Sequence, residues 1–251
     1  MNVRQTALEC LVKVAENYYA FLPQYMTVLY GLVVDAMKAQ EEAIALQAIE
    51  FWSTVAEEEI ALSEEEAAAA EMGTVLEGNR KSYKFIEQAM PVLCPVLFEC
   101  LMSQEEEQDD DSWNRSTAAG ACFVVLADAN RSKIVEIVLP FIQSRINDQT
   151  NWRAREAATM ALGSIVDGPP VEQLDVIAAE AIPLLVNALA TDSQLAVRDT
   201  TAWTLGRLCS AAGGSLSAVE LHRVALMEAF VKALSDEPAV ARNAAWAIHN
   251  L

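Results

Sequence analysis

NWRAREAATMALGSIV (residues 151–166), QLAVRDTTAWTLGRLC (194–209) and PAVARNAAWAIHNL (238–251) are three versions of one pattern in a register of 43 residues. In the second version, small or apolar residues recur every three or four positions, as they do on one face of an α-helix. This stripe is Val197, Thr201, Leu205 and Leu208, and the offset of 43 residues gives Ala154, Ala158, Leu162 and Ile165 before it and Val240, Ala244, Ile248 and Leu251 after it. The pattern predicts a repeated amphipathic helix.

The repeat extends over the rest of the chain. Three further segments carry the stripe: Val3, Ala7, Leu11 and Val14; Glu41, Ala45, Ile49 and Trp52; and Arg115, Ala119, Phe123 and Leu126. Partner helices with the same spacing are predicted over 23–39, 81–103, 131–147, 171–191 and 218–235. Two helices in about 40 to 47 residues are typical of HEAT and armadillo repeats. We therefore predict an all-α HEAT-repeat α-solenoid, a right-handed superhelix of stacked helical hairpins.

This organisation predicts one continuous array over residues 1–251, with about five to six repeats, truncated at both ends. Two insertions interrupt it. Residues 57–80 form a helical, acidic extension, and residues 103–112 form an acidic loop between the two helices of one hairpin. Pro140 and Pro183 lie one period apart inside the first helices, and Pro91 lies at a similar place, which predicts a recurrent kink.

Composition limits the function. The chain is 53% hydrophobic and has a formal net charge of -19, so it should fold and prefer basic partners over nucleic acid. The five cysteines form no CxxC pair, which indicates buried thiols in a reducing compartment. No apolar run approaches the roughly 18 to 20 residues of a membrane span, and no signal peptide is recognisable. We expect a soluble intracellular protein that does not insert into membranes.

The loop sequence SQEEEQDDDSWNRS (103–116) combines a carboxylate run with a tryptophan, Trp113. The six acids are Glu105, Glu106, Glu107, Asp109, Asp110 and Asp111. Such a run is either a solvated loop or a docking site for a basic partner. Alone, such a run is more typical of a solvated loop, and its position directly before Trp113 shifts the balance toward docking.

A second candidate site lies on the helix face turned away from the stripe. Trp203 and Trp246 occupy equivalent positions there, Asp199 precedes Trp203 by one turn, and Glu156 is the equivalent of Asp199 one repeat earlier. Indole faces attract guanidinium groups and carboxylates accept their paired hydrogen bonds, so this ridge suits an arginine-rich helix. The alternative, that the indoles pack between neighbouring helices as ordinary core, stays open from periodicity alone.

Enzymatic function has little support. The two histidines, His222 and His249, have no paired base or metal-ligand spacing, and no phosphate-cradling glycine loop occurs. We expect no catalytic residues, no metal and no cofactor.

Four segments together resemble the importin-beta (karyopherin-beta 1) family of nuclear import receptors. They are EEAIALQAIEFWSTVAEEE (41–59), DDDSWNRSTAAGACFVVLA (109–127), IVLPFIQSRINDQTNWRAREAATMALGSIVDGP (137–169) and AVRDTTAWTLGRLC (196–209). The resemblance follows the chain in order and indicates a central HEAT-repeat segment of such a receptor.

The resemblance implies three kinds of partner. GTP-bound Ran would contact the acidic loop, Glu105 to Asp111. The basic helix of importin-alpha, or a basic cargo, would bind at Trp113, Glu156, Asp199, Trp203 and Trp246. Nucleoporins with phenylalanine-glycine repeats would bind outer apolar residues, here Tyr25, Leu29, Tyr30 and Val33. It also implies a location in cytoplasm and nucleus and at the nuclear pore. The alternative is a HEAT-repeat scaffold of another family, such as a phosphatase or chromatin scaffold.

Overall fold

The computed structural model describes residues 3–74, 80–104 and 113–251. Every regular element within these ranges is helical, and no strand occurs in them, which confirms the all-α prediction. The chain divides into two compact units, residues 1–130 (unit 1) and residues 131–251 (unit 2). The acidic loop predicted at Glu105 to Asp111 lies outside the described residues.

Within its described residues, unit 1 contains five α-helices and a short 3-10 helix, Tyr19–Gln24. The α-helices are α1 (Val3–Tyr18), α2 (Met26–Met37), α3 (Glu42–Glu71), α4 (Phe85–Leu101) and α5 (Arg115–Asn130). Helices α2 and α3 form one hairpin and α4 and α5 another, while α3 lies between α1 and α5. The second helices of successive hairpins therefore stack on one another.

Unit 2 repeats this arrangement with six α-helices. They are α6 (Ser132–Arg145), α7 (Trp152–Ser164), α8 (Val171–Thr191), α9 (Leu195–Ser210), α10 (Ser217–Ala233) and α11 (Pro238–Asn250), with a 3-10 turn at Ala211–Gly213. The pairs α6 and α7, α8 and α9, and α10 and α11 are hairpins. Helix α9 packs between α7 and α11, and α8 packs on α10.

Two arginine–aspartate pairs tie successive hairpins together in unit 2. Arg155 on α7 donates through Nε and Nη2 to Asp192, at 2.7 and 2.9 Å, and through Nη1 to the Asp148 carbonyl at 2.8 Å. Arg198 on α9 repeats all three contacts, with Asp236 at 2.7 and 2.9 Å and the Asp192 carbonyl at 3.0 Å. Each guanidinium thus joins the turn of its own hairpin to the turn of the next. The same two-pronged geometry in both places fixes the stacking of the hairpins.

The predicted stripe is buried in most second helices. All four positions are buried in α7 and α9, and Ala119, Phe123 and Leu126 are buried in α5. The prediction is wrong in α1, where Val3, Ala7 and Val14 are exposed and Leu11 is half-buried. The residues that α1 buries lie one position further along, at Leu8, Val12 and Ala15, because that side of α1 packs on α3.

The proline-containing first helices run without interruption. Pro91 and Pro95 lie inside α4, Pro140 inside α6 and Pro183 inside α8. Helix α8 also has the length and hydropathy of a membrane-spanning helix. It nevertheless packs on α9 and α10 as the first helix of a hairpin, which accounts for its apolar composition.

Glu59 anchors the start of α4 to the middle of α3. This buried carboxylate accepts hydrogen bonds from the Tyr19 hydroxyl at 2.7 Å and from the backbone N–H groups of Phe85 at 2.5 Å and Ile86 at 3.3 Å. The Tyr19 hydroxyl in turn accepts from the Tyr83 N–H at 2.9 Å. Glu59 therefore satisfies the first unpaired donors of α4 in place of a local capping residue.

Helix α3 is long because it continues into the acidic insertion. It ends at Glu71, and two residues later Gly73 has a left-handed conformation with a φ of 68°. The last residue of the insertion, Arg80, and Ser82 just after it contact this extension of α3. Arg80 pairs with Glu65 at 3.1 Å, and the Ser82 N–H donates to Glu66 at 3.2 Å.

Candidate partner-binding face

The two tryptophans of the predicted ridge sit over glycines of the preceding second helix. A Cβ atom added to Gly163 on α7 would lie 2.4 Å from Cζ3 of Trp203 on α9. A Cβ atom added to Gly206 on α9 would lie 2.5 Å from Cζ3 of Trp246 on α11. Contacts this short are impossible for carbon atoms, so only glycine allows each indole to lie where it does.

These indoles are therefore partly packed as core and partly exposed to solvent. Their benzene edges pack between neighbouring second helices, as ordinary core would, yet neither ring is fully buried. Trp246 is 37% exposed and Trp203 is half-buried. The pattern of large side chains does not indicate these glycines, although Gly163 and Gly206 recur one repeat apart just as the tryptophans do. We refer to Trp203 and Trp246 as the indole ridge.

The surroundings of the two indoles differ. The Arg207 guanidinium lies over the Trp203 ring, 5.5 Å from its centroid, and Arg207 Nη2 donates to Asp167 Oδ2 at 2.7 Å. The equivalent of Arg207 in α11 is Asn250. In the part of the chain that the structure describes, no cation lies over the Trp246 ring.

The two carboxylates predicted beside the ridge have different environments. Asp199 is half-buried and accepts a hydrogen bond from Asn243 Nδ2 at 2.8 Å. Glu156 is only 5% exposed and accepts from the Thr200 hydroxyl at 2.7 Å. The expectation that Glu156 lies on the exposed face is therefore wrong, because α9 covers that part of α7 and Thr200 engages the carboxylate.

Trp113 lies in unit 1, directly before α5, and is 59% exposed. The start of α5 is held by Arg115, whose Nη2 donates to the Ala39 carbonyl at 2.6 Å and whose backbone N–H donates to Glu42 at 3.2 Å. Trp113 is thus presented to solvent by an anchored helix start.

The outer residues predicted for nucleoporin binding do not share one exposed face. Tyr25 is exposed and Leu29 is half-buried, whereas Tyr30 packs edge-on against Trp52 with ring centroids 5.8 Å apart. Val33 is completely buried, so its assignment to an exposed surface is wrong. It lies on the side of α2 that faces the unit 1 core.

The large apolar side chains that are exposed from the last residue of α1, through the 3-10 helix, to α2 are a different set. They are Tyr18, Phe21, Tyr25, Val28 and Leu32, and the spacing of three, four, three and four residues could have identified them. We refer to these five residues as the outer aromatic patch.

Negative charge is concentrated in unit 1. Residues 1–130 contain 23 acidic and 7 basic residues, whereas residues 131–251 contain 13 and 10. Desolvation raises the pKa of Glu57 and Glu58 on α3, and repulsion from neighbouring carboxylates adds to the effect. A strongly basic partner therefore meets its largest long-range attraction at unit 1.

The described residues include neither a metal-binding cluster nor an activated cysteine nucleophile. No cluster of histidine, cysteine and carboxylate side chains suitable for a metal ion occurs in residues 3–74, 80–104 and 113–251. Burial raises the pKa of Cys94 and Cys122 to about 12 and that of Cys100 to about 11, so these thiols are not activated nucleophiles. The geometry offers contact surfaces, with indoles and carboxylates as their distinctive groups.

Comparison with known proteins agrees with this architecture. The HEAT-like repeat family matches residues 152–208. Importin subunit beta-1 of Arabidopsis thaliana is 39% identical over 259 residues, which covers 100% of this chain and 29% of that relative. The chain thus spans less than a third of the length of this relative.

Solved structures give the same assignment. Kap95p, in a structure where its binding induces the switch loops of RanGDP to adopt the GTP-bound conformation, matches with a TM-score of 0.90 and 36% identity, covering 99% of this chain and 28% of Kap95p. The Kap95:Nup1 complex matches with a TM-score of 0.90 and 37% identity over the same shares of the two chains. Similarity over the whole chain, together with the stacked hairpins, shows that this chain belongs to the importin-beta family of HEAT-repeat proteins.

Proposed function

We propose that the chain is a segment of a nuclear transport receptor whose indole ridge binds an arginine-rich helix, that of importin-alpha or of a basic cargo. The observation that carries this proposal is the repeat of Trp203 and Trp246 at equivalent places on α9 and α11, each part-exposed over a glycine. Ring faces held one repeat apart can stack on successive guanidinium groups of a ligand. Asp199, one turn before Trp203 on α9, supplies a carboxylate for pairing.

Two further contacts belong to this proposal. GTP-bound Ran binds the acidic loop, Glu105 to Asp111, through its own basic residues, and the net charge of unit 1 assists the encounter. Nucleoporins with phenylalanine-glycine repeats bind the outer aromatic patch, where the exposed rings of Tyr18, Phe21 and Tyr25, which precede α2, can cover a phenylalanine side chain. The relatives support both contacts, since Kap95p is described with Ran in one structure and with Nup1 in another. Such a receptor moves between cytoplasm and nucleus through the nuclear pore and performs no catalysis.

The first test is calorimetric titration of the 251-residue chain with the basic importin-alpha helix. We expect Trp203→Ala with Trp246→Ala to weaken binding at least about fivefold, because two stacking contacts contribute about 0.5 to 1 kcal/mol each when exposed and more when desolvated. Leu221→Ala with Val224→Ala on α10 is the matched control, since it also truncates two exposed apolar side chains of unit 2. Equal affinity of both double variants would rule out the ridge as the binding site.

The second test concerns Ran. Replacing Asp109, Asp110 and Asp111 by alanine should weaken binding of GTP-bound Ran and reduce its dependence on salt. Replacing three exposed acids of α3, Glu50, Glu64 and Glu71, changes the net charge by the same amount and should have a smaller effect. A scaffold of another family would be indifferent to both triple substitutions.

A further inference from the structure

Arg207 makes two contacts that an arginine of a bound partner would also make. Its guanidinium lies over the Trp203 ring, and its Nη2 donates to Asp167 Oδ2 at 2.7 Å. Trp203 and Arg207 are one turn apart on α9, and Asp167 follows α7, so all three belong to unit 2. The Arg207 side chain is 19% exposed, whereas that of Asp167 is 68% exposed. The carboxylate thus faces solvent while the arginine lies between it and the ring.

The neighbouring repeat has the same indole without the arginine. Trp246 lies over Gly206 as Trp203 lies over Gly163, but Asn250 takes the position of Arg207. The position equivalent to Asp167, one repeat later, is Ser210. The cation, the ring and the carboxylate therefore occur together at Trp203, whereas Trp246 has neither the cation nor the carboxylate.

We propose that Trp203 and Asp167 form a guanidinium subsite, and that Arg207 fills this subsite in the unbound chain. The inference rests on the proposed binding of an arginine-rich helix along the indole ridge, and it adds Asp167 as a contact and Arg207 as an internal competitor. An arginine of the partner stacks on Trp203 and pairs with Asp167 only after Arg207 leaves. Trp246 has no such competitor and accepts its guanidinium group directly.

The subsite selects arginine over lysine. A guanidinium group is planar, so it can lie flat on the indole while its edge donates to a carboxylate. An ammonium group is a compact, strongly hydrated charge that does not match this combination. The internal occupant is itself an arginine, which shows that the space between ring and carboxylate fits the guanidinium group.

Removal of Arg207 should strengthen peptide binding, whereas most substitutions at a binding site weaken it. We expect Arg207→Gln, which keeps part of the aliphatic stem, to bind an arginine-rich amphipathic peptide about three- to fivefold more tightly than the parent chain in calorimetric titration. The lysine-substituted version of the peptide should gain less than about twofold. Arg223→Gln on α10 is the matched control, because it removes an equal charge from an exposed part of unit 2.

A second variant tests the carboxylate. Asp167→Asn added to Arg207→Gln should abolish the gain, because the ligand arginine then has the ring without its ion pair. Both residues lie near the surface, and circular dichroism with thermal melting confirms that each variant is folded. No gain in Arg207→Gln, a gain that Arg223→Gln reproduces, or a gain that survives Asp167→Asn would each overturn the subsite.

Failure of the subsite is distinguishable from failure of the proposed function. If Trp203→Ala with Trp246→Ala weakens peptide binding but Arg207→Gln leaves it unchanged, the ridge binds the peptide and the subsite is wrong. If the double tryptophan variant binds as well as the parent chain, the proposed function fails and the subsite falls with it.

Discussion

Trp203 lies so close to Gly163 that a single methyl group on the glycine would meet the Cζ3 atom of the indole at 2.4 Å. The same relationship joins Trp246 to Gly206 at 2.5 Å. Each indole thus fills the space beside a glycine of the preceding second helix, where any other residue would have a side chain. The indoles are held in place by their own fold, so a ligand meets rings whose position is already fixed.

Gly206→Ala should therefore lower stability although it raises intrinsic helix propensity. The added methyl group displaces the indole of Trp246 or separates α9 from α11, and overpacking of this kind costs about 1 to 3 kcal/mol. Urea unfolding followed by tryptophan fluorescence measures both the loss of stability and the change around Trp246.

Gly31→Ala in α2 is the matched control. It is also a helical glycine, but a Cβ atom there would have no neighbour within 4 Å. Alanine is favoured over glycine in a helix interior, so this variant should gain about 0.5 to 1 kcal/mol. Equal effects of the two substitutions would show that the contact between Gly206 and Trp246 does not determine the packing.

Arg198→Lys should destabilise unit 2 because lysine cannot reproduce the paired hydrogen bonds to Asp236. Arg198 also donates to the Asp192 carbonyl, so three hydrogen bonds are lost or weakened. We expect a loss of about 1 to 2 kcal/mol in the free energy of unfolding. Arg223→Lys, at an exposed arginine that pairs with Glu220 and donates to the Leu251 carbonyl, should change it by less than about 0.5 kcal/mol. A loss no larger at Arg198 than at Arg223 would contradict a role in hairpin stacking.

The helical hairpins could be predicted from sequence because burial in a repeated fold leaves a repeated pattern. Positions such as Val197 and Ala154 are buried for the same reason, and an offset of 43 residues relates them. The repeated sequence pattern predicts burial less well where a helix packs against different neighbours. Helix α1 packs on α3 through Leu8, Val12 and Ala15, one position away from the stripe that the offset predicted.

The candidate site was harder to predict because contacts between repeats decide which side chains remain exposed. Glu156 and Asp199 occupy equivalent positions, yet only Glu156 is buried, since Thr200 and α9 cover it. Asp167 lies outside any helical pattern and carries no periodic signal. Its pairing with Arg207 emerges only when the turn after α7 is placed beside α9.

Thiol reactivity should separate one cysteine from the other four. Cys10 is exposed, whereas Cys94, Cys100, Cys122 and Cys209 are buried. Burial raises the pKa of Cys209 to about 12, and its effect on the other three is similar, so few thiolates exist near neutral pH. A chromogenic thiol reagent at pH near 8 should titrate one rapid thiol in the native chain and five after unfolding. Cys10→Ser should remove the rapid phase, and a rapid phase that persists would contradict the packing of α4, α5 or α9.

The stability of unit 1 should depend on pH through the titration of Glu59. Desolvation raises the pKa of this carboxyl, and its hydrogen bonds from Tyr19, Phe85 and Ile86 only partly offset the effect. Because the folded chain binds the proton more tightly than the unfolded chain, the contribution of Glu59 to stability is greatest at acidic pH and is lost as pH rises through the raised pKa. Glu57 and Glu58 shift in the same direction.

Glu59→Gln removes the titrating group while it keeps one oxygen as a hydrogen-bond acceptor. We therefore expect the free energy of unfolding of this variant to change less between about pH 4.5 and pH 7 than that of the parent chain. Glu64→Gln, at an exposed position on the same helix, should retain the parent slope. Urea unfolding at several pH values gives the slopes directly. If Glu59→Gln and Glu64→Gln have the same slope, the carboxylate that anchors α4 is not the source of the pH dependence, and the repulsion among the exposed acids of α3 accounts for it instead.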